Sequence, residues 1–222
     1  MLKALSSLIK SFKKQEAVKE LTSPEQLSSG DMLRFSDSFV LPDDLRGETF
    51  QVQKVATYFY TDTGSPQFVI KSGNNILLYL SIQDFDGEEL IVISRKLKNK
   101  EVESLFGWDR LRKSMKEENS RTIAVDKHVV SESGLDNWAA DSYSRRVFGA
   151  TGHYFENDVR ESNIKGKNMG IPAGGEAFKY FEYYTPDEGK SLEIEVWEGD
   201  DIEICLGLVR PMTDVVELWR KS

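Results

Sequence analysis

Apolar and polar residues alternate along several short segments of the chain, and turn-forming residues separate these segments. The first group is rich in Val, Ile, Phe, Tyr and Thr and is interrupted by PDDLRG, TGSP, SGNN and FDGE. Its members are MLRFSDSFV, TFQVQKVATYFYTD, PQFVIKSG, NILLYLSI and ELIVISRKL. Segments of this length joined by such turns predict an antiparallel meander of strands within residues 22–98.

The spacing of apolar residues changes from that of a strand to that of a helix within residues 99–120. The residues at helical spacing are Val102, Leu105, Phe106, Leu111 and Met115. Within residues 121–222, RTIAVDKHVV, AFKYFEYYT, SLEIEVWEG and DIEICLGLV again indicate strands, and DVVELWRK indicates a closing helical turn or an edge strand. We therefore predict a mainly β (α+β) fold, with two similar antiparallel β-rich halves, sandwich or barrel-like, joined by a helical connector.

One short phrase occurs twice, as LSIQDFDGEELIVI from residue 80 and as LEIEVWEGDDIEIC from residue 192. At a constant offset, Phe85 meets Trp197 and Gly87 meets Gly199, with acidic residues around each glycine. Alternating residues on both sides of a glycine are typical of a β-hairpin, because glycine supplies the positive φ that a tight turn needs. The repeat therefore predicts two similar hairpins, arising by duplication or by coincidence.

A periodic pattern near the start predicts a basic amphipathic helix within residues 1–21. Its apolar residues recur every three or four positions and its lysines lie mostly elsewhere. The apolar residues are Leu2, Leu5, Ile9 and Phe12, and the basic ones are Lys3, Lys10, Lys13 and Lys14. Two roles stay open for this helix, namely docking on the protein itself or a partner chain, and lying on an anionic membrane surface.

Composition and charge narrow the class of protein. The 222 residues are 39% apolar and 30% charged, which is enough apolar material for a sizeable core. The net charge of −8 argues against a nucleic-acid partner. No apolar run is long enough for a transmembrane helix. The single cysteine, Cys205, has no partner for an internal disulfide. We expect a cytoplasmic protein that reaches the inner membrane peripherally.

The second copy of the repeated phrase has an acidic strand face. Glu193 and Glu195 alternate with apolar residues before the turn, Trp197 follows them, and Glu203 comes after the turn. Like charges this close destabilise a fold unless they are solvated or paired. We interpret this face as solvent-exposed and as a binding surface for a basic partner.

A polar and aromatic cluster in YSRRVFGATGHYF is the other candidate binding site. Arg145, Arg146, His153 and Tyr154 could line an anion-binding pocket there. His128 and His153 have no cysteine or acid at the spacing that metal sites use, and Cys205 would be a nucleophile only with a histidine close in space. We predict no catalytic residue, no metal and no cofactor.

The stretch YFEYYTPDEGKSLEIEVWEGDDIEICLGLVRP resembles the C-terminal part of YjfK-like bacterial domains of unknown function. In those domains an aromatic strand, a turn, an L-x-I-E-x-W-like strand and a final glycine-containing strand follow one another. Similar proteins are encoded beside phage-shock proteins of the PspA type. The resemblance therefore implies a role in envelope or membrane stress and a PspA-type partner, and it implies no catalytic residue.

These patterns favour a non-catalytic intracellular interaction protein, with a role in the bacterial envelope or membrane stress response. The alternative is a hydrolase or transferase that uses an Arg/His/Glu pocket. That alternative requires Arg145, Arg146 and His153, or the glutamate face, to converge in one concave site.

Overall fold

A computed structural model describes residues 20–60, 64–160 and 173–221. The predicted N-terminal helix, with Leu2, Leu5, Ile9 and Phe12, lies outside these residues. The described strands are β1 (Met32–Phe35), β2 (Thr49–Phe59), β3 (Gly64–Ser72), β4 (Leu77–Phe85), β5 (Glu88–Lys96), β6 (Thr122–Ala124), β7 (Ser142–Phe155), β8 (Glu176–Tyr184), β9 (Lys190–Val196), β10 (Ile202–Pro211) and β11 (Val215–Trp219). The described α-helices are α1 (Asn99–Leu105), α2 (Trp108–Lys116) and α3 (Lys127–Ser133).

All these strands belong to one antiparallel sheet, in the order β11-β1-β2-β3-β4-β5-β10-β9-β8-β7-β6. The end of β2 also pairs with the end of β7, so that Tyr58 lies opposite Tyr154 and Phe59 opposite His153. This pairing closes the strands from β2 to β5 and from β7 to β10 into a ring, with an inner and an outer face. Strands before and after the helical connector therefore belong to one closed sheet. This arrangement is barrel-like, whereas a sandwich consists of two separate sheets.

The outer face of the ring is apolar and carries the main core. Alternate residues such as Leu192 and Ile194 point outward, and the helices and loops cover them completely. On α2, the hydroxyl of Ser114 accepts a hydrogen bond from the Tyr183 hydroxyl at 3.1 Å. Each fully buried aliphatic or aromatic side chain stabilises the fold by roughly 1.5–3 kcal/mol. The apolar positions that the sequence alternation identified are thus buried outside the ring.

Both repeated phrases form hairpins, as predicted, but their turns differ. Asp86 and Gly87, with φ of 55° and 91°, make the two-residue turn between β4 and β5. Between β9 and β10, the Trp197 amide donates to the Asp201 carbonyl at 2.8 Å, so the loop has one residue more. A shift of one residue exchanges the two faces of a strand. Equivalent positions of the repeat therefore point in opposite directions in the second strands of the two hairpins, into the ring in one and out of it in the other.

The elements agree with the sequence patterns except at MLRFSDSFV, where β1 ends at Phe35, and around residue 126. The helical connector is present as α1 and α2, and DVVELWRK contains the edge strand β11. The strand predicted in RTIAVDKHVV is limited to β6, because Asp126 accepts a hydrogen bond from the amide of His128 at 3.0 Å and caps α3. None of the helices in the described ranges has the length and apolar character required to span a membrane.

Candidate functional site

The inner face of the ring is lined by acidic, tyrosine and small polar side chains. Strands on opposite sides of the ring meet there: the hydroxyl of Tyr184 on β8 donates to the side-chain oxygen of Gln83 on β4 at 3.4 Å. The inward side chains of this central region are Tyr58, Gln67, Tyr79, Ser81, Ser94, Lys96, Tyr154, Glu182, Glu193, Glu195, Glu203 and Cys205. A ring of eight strands is wide enough to be filled by side chains or to hold one small ligand.

Two cavities of more than 300 Å³ inside the ring are partly open to solvent. The first, which we name the tyrosine cavity, has a volume of about 340 Å³. Its walls include Tyr60, Ser81, Gln83, Tyr180, Glu182 and Glu193. The second, the lysine cavity, has about 430 Å³ and is bordered by Lys54, Lys96, Tyr154, Trp197 and Glu203. Tyr58 and Gln67 line both cavities and therefore lie between them.

A glycine on the neighbouring strand lets Glu193 reach two hydroxyl groups inside the ring. Its carboxylate accepts hydrogen bonds from the hydroxyls of Ser191, at 2.9 Å, and Ser94, at 3.3 Å. Ser94 and Ser191 both pair with Gly207 on the strand between them. A Cβ atom at Gly207 would lie 2.0 Å from the Ser191 hydroxyl and 3.1 Å from the Glu193 carboxylate. Glycine at this position thus gives Glu193 room to reach across β10.

Burial changes the ionisation of two further carboxyl groups in the ring. Burial, together with the charges of Glu193 and Glu203, raises the pKa of Glu195 to about 8, and Lys96 opposes this shift. Burial and the charge of Glu193 raise the pKa of Glu182 to about 7, against the charge of Arg146. Perturbed carboxyl groups in a cavity are typical of functional sites. Both groups therefore change their charge in the neutral pH range.

The remaining ionisable groups of the interior are paired or uncharged. Lys96 forms an ion pair with Glu203 at 2.5 Å. Burial lowers the pKa of Lys96, but the hydrogen bond that Lys96 donates to Glu203 and the negative charge of Glu203 together outweigh burial, and the pKa of the lysine is raised. Burial and the nearby carboxylates raise the pKa of the Cys205 thiol well above its usual value. A thiol of this kind is a poor nucleophile at neutral pH.

The structure brings most of the candidate site residues together in or near the ring interior. Glu193, Glu195 and Glu203 lie in it, and the ring of Trp197 packs on Phe178 with centroids 4.8 Å apart. The Tyr154 hydroxyl accepts a hydrogen bond from Lys54 at 3.1 Å. The guanidinium of Arg146 lies 4.8 Å from the ring centre of Tyr184, at the rim of the interior, and pairs with Glu188.

Arg145 and His153 are not part of this group. Arg145 lies on the outer face and donates to backbone carbonyls in the last turn of α2 and just after it, including that of Ser114 at 2.9 Å. His153 is seven residues from Arg146 on the same strand, roughly 20 Å away at the rise of a β-strand. Its Nδ1 atom is buried and has no hydrogen-bond partner among the described residues. The predicted cluster of Arg145, Arg146 and His153 is therefore not assembled in one pocket.

The interpretation of the glutamate face as solvent-exposed is wrong. Closure of the sheet encloses Glu193 and Glu195, which are only partly accessible. Sequence reasoning also missed the opposite wall, formed by Tyr58, Gln67, Ser81 and Gln83. The one indication of this wall is the alternation of Tyr79, Ser81 and Gln83 with apolar residues, which also fits a solvent-facing strand.

Comparisons with known proteins assign the chain to a family. No curated protein and no solved structure matches it. The model of a domain of unknown function, DUF4178, matches residues 44–210. The match begins just before β2 and ends within β10, so it covers the strands of the ring together with their cavities. The chain therefore belongs to the DUF4178 family.

Proposed function

We propose that this chain is a non-catalytic binding protein whose ring interior holds a small polar molecule. The observation that carries the proposal is the convergence of polar side chains from opposite strands on the tyrosine cavity. Ser81 and Gln83 on β4 face Glu182 on β8 and Glu193 on β9 across it. Ligand sites in proteins are concave and combine apolar or aromatic walls with a few placed polar groups.

The placement of reactive groups supports binding over catalysis. A hydrolase or transferase would use a nucleophile or a basic cluster beside the substrate. Arg145 and His153 lie away from the interior, and the pKa of the Cys205 thiol is raised rather than lowered. This arrangement counts against catalysis by the cluster of Arg145, Arg146 and His153 or by the Cys205 thiol.

A substitution that fills the tyrosine cavity tests the binding role. We expect compounds from a panel of amines, sugars, amino acids and nucleosides to raise the melting temperature of the wild-type protein. Ser81→Phe should abolish these shifts, because its ring occupies the cavity. Leu77→Phe is the control, since Leu77 lies on the same strand and is 47% exposed.

Differential scanning fluorimetry measures the shifts, and circular dichroism checks that both variants are folded. Shifts that persist in Ser81→Phe, or an absence of any shift in the wild type, would contradict the proposal.

We further propose that the protein acts in envelope or membrane stress, with a PspA-type partner and peripheral contact with the inner membrane. The resemblance to YjfK-like domains and the basic pattern of Lys3, Lys10, Lys13 and Lys14 support this proposal. We expect the full chain to co-sediment with anionic liposomes, and a chain lacking residues 1–15 to stay in the supernatant. Equal sedimentation of both chains would remove the membrane contact from the proposal.

A further inference from the structure

The tyrosine cavity has an excess of negative charge. Glu182 and Glu193 line it, and Glu195 lies just beyond Tyr58. The nearby cations are paired with other carboxylates: Lys96 pairs with Glu203, and Arg146, whose charge also acts on Glu182, pairs with Glu188 at the rim. Carboxylates enclosed in this way favour a positively charged occupant, since a cation offsets both their burial and their mutual repulsion.

Aromatic side chains form the part of the cavity wall next to Glu182. The rings of Tyr60 and Tyr180 contact each other with centroids 4.7 Å apart, and the ring of Tyr58 stacks on that of Tyr60 at 5.7 Å. The faces of tyrosine rings attract ammonium groups, and the same rings provide an apolar surface for a carbon chain. This wall suits an organic cation better than a neutral sugar or an anion.

Two of these carboxylates, Glu182 on β8 and Glu193 on β9, lie directly opposite each other on neighbouring strands. Among the described residues, no group of three His, Cys, Asp or Glu side chains could hold a metal ion. Glu182 receives no hydrogen bond from the described residues, in contrast to Glu193, which has the hydroxyls of Ser94 and Ser191. The carboxyl group of Glu182 is thus available to a donor inside the cavity.

We infer that the tyrosine cavity binds a small organic cation, with its ammonium group beside Glu182 and Glu193 and its carbon chain against Tyr60 and Tyr180. The inference rests on the proposed binding function and names the chemical class of the ligand. An ammonium group with three hydrogen atoms can donate to both carboxylates. The volume of about 340 Å³ fits a short alkylamine.

Binding of such a cation is linked to the release of a proton. The groups that face Glu182 are Glu193 on β9, Arg146 on β7, and the hydroxyls of Tyr60, Tyr180 and Tyr184. Without a cation, the pKa of Glu182 is about 7, so this carboxyl group is largely protonated at pH 5.5. The cation binds the ionised form, so its affinity falls by up to about tenfold per pH unit below 7 and levels off above it.

Isothermal titration calorimetry with the full chain and n-butylammonium chloride tests the inference. We expect binding at pH 8, binding weaker by at least tenfold at pH 5.5, and no binding of n-butanol, which has the same shape without the charge. Glu182→Gln should weaken binding at least tenfold. Glu89→Gln, on the exposed tip of the β4–β5 hairpin, should leave it unchanged. Glutamine resembles the protonated carboxyl group, so the fold is kept, and circular dichroism verifies this.

Equal binding of n-butanol, or unchanged affinity in Glu182→Gln, would overturn the assignment of an organic cation. If n-butylammonium does not bind but another compound raises the melting temperature and Ser81→Phe blocks it, the binding function stands and the cation assignment fails. If no compound binds the wild type, both fail.

Discussion

Replacing Glu195 with glutamine is expected to raise the free energy of unfolding at pH 7 by about 3 kcal/mol. The carboxyl group has a pKa of about 8 in the folded protein and near 4.5 when the chain is unfolded. At pH 7 the group is still mostly protonated in the folded protein, so only the interval from 4.5 to 7 contributes, and each pH unit of this interval corresponds to about 1.4 kcal/mol. Glutamine keeps the shape and the polarity of the protonated side chain and has no charge to bury.

The sign of the pH dependence follows from the raised pKa. Below pH 4.5 Glu195 is protonated in both states and adds no pH-dependent cost. As the pH rises from 4.5 to 8, the unfolded state loses its proton before the folded state does, and the folded protein loses stability. Glu182, with a pKa of about 7, acts in the same direction over a narrower range. The wild type should therefore be less stable at pH 8 than at pH 5 through these groups, and Glu195→Gln should flatten the change.

Urea unfolding at pH 5 and pH 8 measures this effect. Glu89→Gln, at the exposed hairpin tip, provides the control and should follow the wild type at both values. An equal response of wild type and Glu195→Gln to pH would show that Glu195 is solvated, against its place inside the ring.

Phe59→Ala should have the second large effect, a loss of roughly 3–5 kcal/mol of stability. Phe59 is fully buried at the junction of β2 and β7, and its ring meets that of Phe155 edge to face with centroids 5.4 Å apart. Its ring also packs over Gly64, where a Cβ atom would lie 2.7 Å away. Loss of this ring removes buried apolar surface and weakens the pairing that closes the sheet.

Chemical denaturation gives the loss of stability, and hydrogen exchange of the β2 and β7 amides reports whether the junction opens. Phe39→Ala is the matched control, because Phe39 is 91% exposed and should change stability by less than about 0.5 kcal/mol. A loss in Phe59→Ala as small as in this control would contradict the closed ring.

The sequence predicts the hairpins well because their determinants are local. Asp86 and Gly87 supply the left-handed backbone of the first turn, and the alternation around them assigns apolar residues to one face. The connector helices follow from apolar residues at helical spacing. The short helix α3 is missed because the capping by Asp126 is stronger than the weak strand preference of the residues after it.

The interior of the ring could not be predicted, because its formation depends on contacts between residues far apart in the chain. Closure pairs Tyr58 with Tyr154, and a bulge after Val52 exchanges the faces of β2 so that Tyr58 points inward. Without this closure, Glu193 and Glu195 have the pattern of a solvent-facing strand. The sequence also could not show that Arg145 has a structural role. The backbone carbonyls that accept its hydrogen bonds lie about 30 residues earlier in the chain.

Glu182 and Glu195 are enclosed in the closed ring and change their charge near neutral pH. Titration of the side-chain carboxyl carbons by NMR, assigned with Glu195→Gln and Glu182→Gln, measures this directly. The account predicts midpoints of about 8 for Glu195 and about 7 for Glu182. Midpoints near 4.5 for both residues would mean that water surrounds them, and would contradict the enclosed binding site.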